Sequence, residues 1–336
     1  GGGEDLMGLL LEYPGRGELH EDMRYLVFKR LAKHREKAAG KLAEVLAYAD
    51  PVKEPSPRVR GEAAVAAGMI QGKTVQGNDR LNITFLTYEA APLIKKGGLA
   101  DVVGTLPRVL TNKRGHDVSV VMPYWSAIDD ALAKNPHLQL KDEGIEFEML
   151  GEKVRIYSVT MDGTTMYLLR CDKYFKVEGA VDVEGESVAI DRGDIYRAKA
   201  DIAYTKHFED SPEEDNKKYN THPLNAETAI FFSRAGLAAM EELGKRGAMK
   251  KPDSIITADW QTGLVPALLK KSPDYAGKEF FRGTSTIHTI HNLAFKGMFS
   301  ASPRSEGEEL RLWKMTGLPE DAYWGEKLMG VEAWSD

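Results

Sequence analysis

The sequence predicts an α/β fold: a doubly wound, mainly parallel sheet covered by helices and preceded by a small all-α segment. Short apolar runs typical of buried strands alternate with longer helical patterns, and this alternation favours parallel strands joined by right-handed crossovers. The first 76 residues lack the apolar-polar alternation of strands. The strand-like runs are NITFLTY (82–88), DVSVVMP (117–123), SIITAD (254–259) and GTSTIHTI (283–290).

Residues 1–76 are predicted to form a helical N-terminal extension, because Leu26, Leu31 and Leu42 fall at spacings that form an apolar helix face. After a proline-containing break, a second helix resembles the second helix of a HEAT-type repeat. The residues that carry this likeness are Pro57, Val59, Arg60, Ala63, Ala64 and Gly68. Such repeats need several copies to bury their faces, so a truncated array and a simple helical extension both stay open.

The polar stretch GKTVQGNDR (72–80) is interpreted as a linker, and a second domain is predicted over residues 77–336. It begins with a strand, a helix and a strand, which form one βαβ unit. FEML, VRIYSVTM and TTMYLLR follow, with glycine-containing turns between them that indicate hairpins. Residues 177–223 are charged and are predicted to form an irregular surface excursion. A long amphipathic helix then ends before Gly247.

Composition limits the class of function. The chain has 336 residues with 42% hydrophobic content, as in a globular protein, and a net charge of -6, which argues against a nucleic-acid partner. Its one cysteine, Cys171, excludes an internal disulfide and fits a reducing compartment. No apolar run approaches the length of a membrane span, so a cytoplasmic protein is expected. Both chain ends are interpreted as cuts.

The segment TYEAAPLIKKGGLADVVGTLP (87–107) lies between a predicted strand and a predicted helix. Gly97 and Gly98 allow a ligand to approach the backbone closely, and the start of the following helix offers unpaired N–H groups. Lys95 and Lys96 add positive charge. This combination suits an anion such as a diphosphate, although a glycine pair also serves an ordinary tight turn.

The longer string EAAPLIKKGGLADVVGTLP resembles the signature near the start of the glycogen and starch synthase catalytic domain. The shared residues are Glu89, Pro92, Lys95, Gly97, Gly98, Leu99, Asp101, Val102, Val103 and Gly104. Two further blocks follow in the family's order, ADWQTGLVPALLKK (258–271) and STIHTIHNLAFKGMF (285–299). The chain departs from the family pattern at Ala258 and Lys296. The helix LNAETAIFFSRAGL (224–237) matches less closely and is predicted to contribute packing.

The resemblance implies a retaining glycosyltransferase of GT-B architecture, in which two doubly wound domains face a cleft and this chain supplies the first. It implies transfer of glucose from ADP-glucose to the non-reducing end of an α-1,4-glucan, so the expected partners are the glucan and the sugar nucleotide. It also implies no metal or other cofactor, because basic side chains and helix N-termini stabilise the departing diphosphate. Without a second domain, the chain is expected to be inactive.

Carried over residue by residue, the resemblance assigns catalytic roles to Lys95, at the diphosphate, and to His291, at the donor glucose. It assigns substrate binding to Glu89, Gly97, Gly98, Asp101, Asp259, Trp260 and Asn292. The competing interpretation of the Asp-Trp pair is a helix N-cap followed by a buried tryptophan. His288 falls outside the motif and is predicted to be a strand residue with a local hydrogen bond.

Two alternatives stay open. One is another GT-B sugar transferase, such as a sucrose synthase, with a different nucleotide and acceptor. The other is a non-catalytic glucan-binding scaffold whose N-terminal helices recruit a protein partner. The sequence leaves ADP-glucose and UDP-glucose, and likewise glycogen and starch, undecided.

Overall fold

The computed structural model describes residues 80–209, 221–292, 295–299, 311–319 and 322, together with seven earlier positions. It divides into two compact units, Gly1–Asp79 and Arg80–Asp336, and the division falls in the predicted linker. In the first unit the described positions are Val27, Phe28, Val45, Ala47, Val59 and Ala63, which are helical, and Tyr48, which lies in a turn. The other residues of the predicted HEAT-like helix, and the rest of the N-terminal extension, lie outside the described residues.

The second unit is built on a mostly parallel seven-stranded sheet flanked by helices, which confirms the predicted α/β class. Its described strands are β1 (Asn82–Leu86), β2 (Asp117–Pro123), β3 (Lys141–Met149), β4 (Glu152–Met161), β5 (Thr164–Arg170), β6 (Gly179–Val183), β7 (Glu186–Ile190), β8 (Ser254–Ala258) and β9 (Ser285–Thr289). The order across the large sheet is β3-β4-β5-β2-β1-β8-β9, and β6 and β7 form a separate hairpin.

The parallel strands bring the ends of β1, β8 and β9 to one edge of the sheet. Leu86 at the end of β1 pairs with Thr257 in β8, which in turn pairs with His288 in β9. The chain leaves β1 toward β2 on one side and later returns to place β8 on the other side. In an open α/β sheet, ligands bind outside the carboxyl ends of the strands at such a reversal of strand order. The topology therefore marks the loops after β1 and β8.

The hairpins predicted from alternating segments are confirmed, since β3, β4 and β5 pair antiparallel. Each connecting turn holds two residues at positive φ, Leu150 and Gly151 in the first and Asp162 and Gly163 in the second. Positive φ at both central residues is typical of two-residue hairpin turns, because it matches the twist of the flanking strands. An Asp-Gly pair is a strong sequence signal for such a turn.

The helices cover the sheet, and the hydrophobic core lies between helices and strands. They are α1 (Gly98–Arg114), α2 (Ile128–Lys134), α3 (Asp172–Phe175), α4 (Ala198–Glu209), α5 (Pro223–Lys245), α6 (Asp259–Thr262), α7 (Val265–Lys271) and α8 (Arg311–Thr316). As predicted, α5 is a packing helix, with Phe231 and Phe232 fully buried. A Cβ at Gly236 would stand 2.5 Å from the Leu86 side chain, so glycine lets α5 lie this close to β1 without a shift of Leu86. Within the described ranges, no helix is long and apolar enough to cross a membrane.

The prediction of an irregular excursion over residues 177–223 is wrong. This region contains the β6–β7 hairpin and α4, and Val183, Ile190 and Ala200 are buried against the main core. The hairpin turn is made by Glu184 and Gly185, both at positive φ. Charged residues on the exposed positions of two short strands concealed the alternating apolar ones.

Candidate active site

A cavity of about 540 Å³ opens where β1, β8 and β9 end, at the edge that the strand order marks. Seven of the nine predicted site residues line it: Glu89, Gly97, Gly98, Asp259, Trp260, His291 and Asn292. Three more lining residues, Lys96, Leu99 and Val102, belong to the first sequence block but were given no site role. The residues in the lining that sequence reasoning missed are Tyr196, Ala198, Asp201, Gln261 and Phe295. The parallel sheet thus gathers residues from segments up to about 200 positions apart.

Two predicted site residues, Lys95 and Asp101, lie outside the cavity lining. Their side chains form an ion pair of 2.8 Å with each other, and both are more than half exposed. Lys96, which also approaches Gly193, is the lysine of the pair that lines the cavity. The two lysines are adjacent in the sequence, and only the structure shows which of the two side chains faces the cavity.

Glu89 fixes the glycine-containing loop that precedes α1. Its side chain is buried, and its Oε2 accepts hydrogen bonds from the backbone N–H groups of Lys96 at 2.5 Å and Gly97 at 3.1 Å. The Gly97 N–H, expected to face an anion, is therefore used inside the protein. Helix α1 begins at Gly98 without a side-chain cap, so the remaining N–H groups of its first turn stay suited to an anion.

Tyr196 completes the environment of Glu89. Its hydroxyl donates a hydrogen bond of 3.1 Å to Glu89 Oε1, and its ring stacks on Tyr88 with a centroid distance of 6.1 Å. Burial, and then the neighbouring Glu89 carboxylate, raise the pKa of Tyr196, so the phenol keeps its proton and remains a donor. Three donors on one carboxylate hold this part of the cavity in a single arrangement.

Asp259 positions the segment that carries His291. Its Oδ1 accepts hydrogen bonds from the backbone N–H groups of His291 at 2.6 Å and Asn292 at 3.1 Å. The N-cap interpretation of Asp259 is wrong. Asp259 is the first residue of α6, the N-cap position is held by Ala258, and the Ala258 N–H donates to the Thr262 hydroxyl. Asp259 itself lies at φ +54, a left-handed conformation that aspartate tolerates better than most residues and that is concentrated at functional sites.

Trp260 is half-buried, lines the cavity and is packed against the segment after β9. A Cβ at Gly297 would stand 2.1 Å from the indole, and Gly297 has φ +65, so glycine is required at this contact. The ring of Phe299 lies 6.2 Å from that of Trp260. Trp260 is therefore largely a packing residue. Phe295, 44% exposed and also in the lining, is the aromatic side chain most accessible to a ligand.

The two histidines near the end of β9 differ in their surroundings. His288 bonds through Nδ1 to the Thr257 hydroxyl at 2.9 Å, which confirms its predicted local hydrogen bond, and burial lowers its pKa. His291 has an exposed side chain whose Nε2 lies 3.3 Å from the Thr289 hydroxyl. Of the two, His291 lines the cavity.

Fold and site together define an α/β domain with a sugar- or nucleotide-sized cavity at the strand-order reversal, lined by fixed carboxylates, a lysine and an uncapped helix start. This is the architecture of a ligand-binding Rossmann-like domain. The model of the starch synthase catalytic domain family matches residues 82–332, three-quarters of the chain. The chain belongs to the starch synthase catalytic domain family.

Curated relatives are glycogen synthases. The chain is 32% identical over 243 residues to the glycogen synthase of Syntrophotalea carbinolica, covering 71% of this chain and 40% of that protein. It is 31% identical over 243 residues to that of Thermotoga maritima, covering 72% and 40%. A solved structure, the catalytic domain of starch synthase IV from Arabidopsis thaliana bound to ADP and acarbose, is 24% identical, with a TM-score of 0.45, covering 66% of this chain and 36% of that one. The chain spans about two-fifths of the length of the curated relatives.

Proposed function

We propose that the protein to which this chain belongs is a glycogen or starch synthase that transfers glucose from ADP-glucose to the non-reducing end of an α-1,4-glucan with retention. The family match over residues 82–332 carries the proposal. The cavity supports the proposal, because residues from all three sequence blocks of the resemblance line it. ADP-glucose is favoured over UDP-glucose because the matched relatives are bacterial glycogen synthases.

The chemistry of the cavity suits a sugar nucleotide and a glucan. Lys96 and the uncapped start of α1 favour a diphosphate on one side, through positive charge and unpaired N–H groups. Glu89 and Asp259 are fixed carboxylates at the same cavity, and carboxylates are strong acceptors for sugar hydroxyls. His291, held through its backbone by Asp259, is proposed to contact the donor glucose. Transfer without a metal ion is part of the proposal.

The isolated chain is expected to transfer no glucose. A lone domain forms one side of a two-domain cleft, and half of the groups that stabilise the transition state would then be absent. The described cavity is open to solvent on the side of His291 and Phe295, whose side chains are exposed. A second domain closing on this side would exclude water from the reaction.

Glucose transfer to glycogen, measured with the full-length reading frame beside the chain Gly1–Asp336, tests the proposal. Turnover by the long form with ADP-glucose supports it, and His291→Ala in the same protein serves as the inactive control. Turnover only with a soluble acceptor such as fructose would point to a sucrose-synthase-like transferase. Glucan retention in a pull-down without any turnover by the long form would favour a binding scaffold and contradict the proposal.

The cellular setting belongs to the proposal as well. We place the enzyme in the cytoplasm, a reducing compartment that suits a chain with one cysteine. A protein partner for the N-terminal helices is likewise proposed, and pull-down with residues 1–76 deleted would test it.

A further inference from the structure

Asp201 is a cavity residue that neither the sequence motifs nor the family resemblance assigns. It lies in the first turns of α4, lines the cavity and is only 4% exposed. A carboxylate this deeply buried requires hydrogen-bond partners, because an unpaired buried charge is strongly unfavourable. The partners of each of its two oxygens therefore indicate what the residue does.

The two oxygens of Asp201 differ in their hydrogen bonds to the described residues. Oδ1 accepts hydrogen bonds of 2.7 Å from both the His222 N–H and Asn225 Nδ2. Among the described residues, none donates a hydrogen bond to Oδ2. Two donors on a single oxygen fix the rotation of the carboxyl group, so the second oxygen has a set direction.

Asn225 holds this arrangement rigid. Besides Asp201, its Nδ2 donates to the Tyr196 carbonyl at 2.8 Å, and its Oδ1 lies 3.3 Å from Arg197 Nη1. Arg197 is buried and also donates to the Tyr174 carbonyl at 2.7 Å. A fully bonded asparagine between α4 and the start of α5 keeps Asp201 in place relative to Tyr196.

The charge of the cavity favours a hydroxyl over a phosphate at Asp201. Glu89 and Asp259 line the same cavity, whereas Lys96 is the one lysine among its described lining residues, so a dianionic group beside Asp201 meets excess negative charge. The buried Arg197 guanidinium is already bonded to Asn225, Thr228 and the Tyr174 carbonyl, and it is not among the described residues that line the cavity. Burial raises the pKa of Asp201 to about 7, so the side chain is an ionised carboxylate, with acceptor oxygens only, above neutral pH.

We infer that Asp201 Oδ2 accepts a hydrogen bond from a hydroxyl group of a sugar ring bound in the cavity. The ring belongs either to the α-glucan or to the ribose of the nucleotide, since both present vicinal hydroxyls. The inference rests on the proposed function for its substrates, and adds a binding residue to it.

Calorimetric titration of the protein with maltoheptaose and, separately, with ADP tests the inference. At pH 8.5 the carboxylate is ionised, and Asp201→Asn keeps the acceptor oxygen for His222 and Asn225 but places an NH₂ group where Oδ2 was. We expect the affinity for at least one of the two ligands to fall by about tenfold or more, as expected for the loss of a charge-assisted hydrogen bond. Asp194→Asn is the matched control: it makes the same charge change beside α4, outside the cavity lining, and should stay within twofold.

The affected ligand identifies the sugar ring, maltoheptaose for a glucan hydroxyl and ADP for the ribose. Unchanged affinity for both ligands, or no binding of either by the unmutated protein, overturns the inference. If Asp201→Asn does not fold, a crystal structure of the unmutated protein with either ligand decides: a sugar hydroxyl within about 3.2 Å of Oδ2 supports it, and a bound ligand without that contact overturns it. The binding measurement does not depend on turnover. If the protein binds a ligand through Asp201 but the full-length form transfers no glucose, the proposed function is contradicted and the inference about Asp201 stands.

Discussion

The two sides of the cavity are built differently. On the inner wall, defined as Glu89, Tyr196 and Asp201, the side chains hydrogen-bond to the protein and the two carboxylates are buried. On the outer wall, defined as His291, Asn292 and Phe295, the side chains are exposed and the backbone of the first two is held by Asp259. The inner wall is shaped before any ligand binds, whereas the outer wall can adjust to a ligand or to a second domain.

This difference separates stability from function. Truncation of an inner-wall side chain should lower the free energy of unfolding, because it leaves buried polar groups unpaired. Changes in the outer wall should leave stability nearly intact and alter ligand binding or turnover, because exposed side chains contribute little to folding. The predictions below test this contrast on both walls.

The largest expected effect is the pH dependence of stability caused by Asp201. Burial raises its pKa from 3.8 to about 7, so between these values the folded protein keeps a proton that the unfolded chain releases. The contribution of Asp201 to the free energy of unfolding therefore falls as the pH rises, by up to about 4 kcal/mol across the range. Urea unfolding at several pH values should show this fall in the unmutated protein relative to Asp201→Asn. Parallel pH profiles for the two proteins would contradict it.

Removing the Glu89 carboxylate should be nearly as costly. Glu89→Ala leaves the N–H groups of Lys96 and Gly97 and the Tyr196 hydroxyl without their acceptor, and should lower the free energy of unfolding by roughly 3 kcal/mol. Lys95→Ala is the control in the same loop. It removes only an exposed ion pair and should change stability by less than about 0.5 kcal/mol in urea unfolding. Equal losses for the two variants would show that the three hydrogen bonds of Glu89 add no more stability than the exposed Lys95–Asp101 ion pair.

Asp259 links the two walls and should affect turnover more than stability. Asp259→Ala removes the acceptor for two backbone N–H groups and puts alanine at φ +54, so His291 loses its fixed position. We expect turnover of the full-length protein to fall by roughly 10- to 100-fold. Asp259→Asn keeps an acceptor oxygen and tolerates the left-handed backbone, so it should retain most of the activity. If both variants were equally active, the positioning role would be excluded.

The smallest expected change in stability is that of His291→Ala. Its side chain is exposed, and its contact is the Thr289 hydroxyl at 3.3 Å, so the free energy of unfolding should change by less than about 0.5 kcal/mol. Turnover of the full-length protein should nevertheless be lost. A large loss of stability would place His291 with the inner wall.

Much of the cavity could be predicted from motifs that lie at the ends of strands. The block around Gly97 and the blocks around Asp259 and His291 each follow a strand, and parallel strands bring such positions to one edge. Tyr196 and Asp201 gave no such signal, because their segment follows a short charged hairpin and approaches the cavity from outside the large sheet. The role of Asn225 was also hidden, since an asparagine near a helix start is typical of ordinary capping.

The sequence by itself determined the parallel strands, the hairpin turns between β3, β4 and β5, the family and the strand ends that carry the site motifs, because these depend on local pattern and chain order. Only the tertiary structure decided which side chains face the cavity. It directed Lys96 inward while Lys95 paired with Asp101, and it brought Tyr196 to Glu89 across 107 positions of sequence. The physical reason is that the direction of a side chain and the satisfaction of a buried polar group depend on elements distant in sequence, which periodicity does not record.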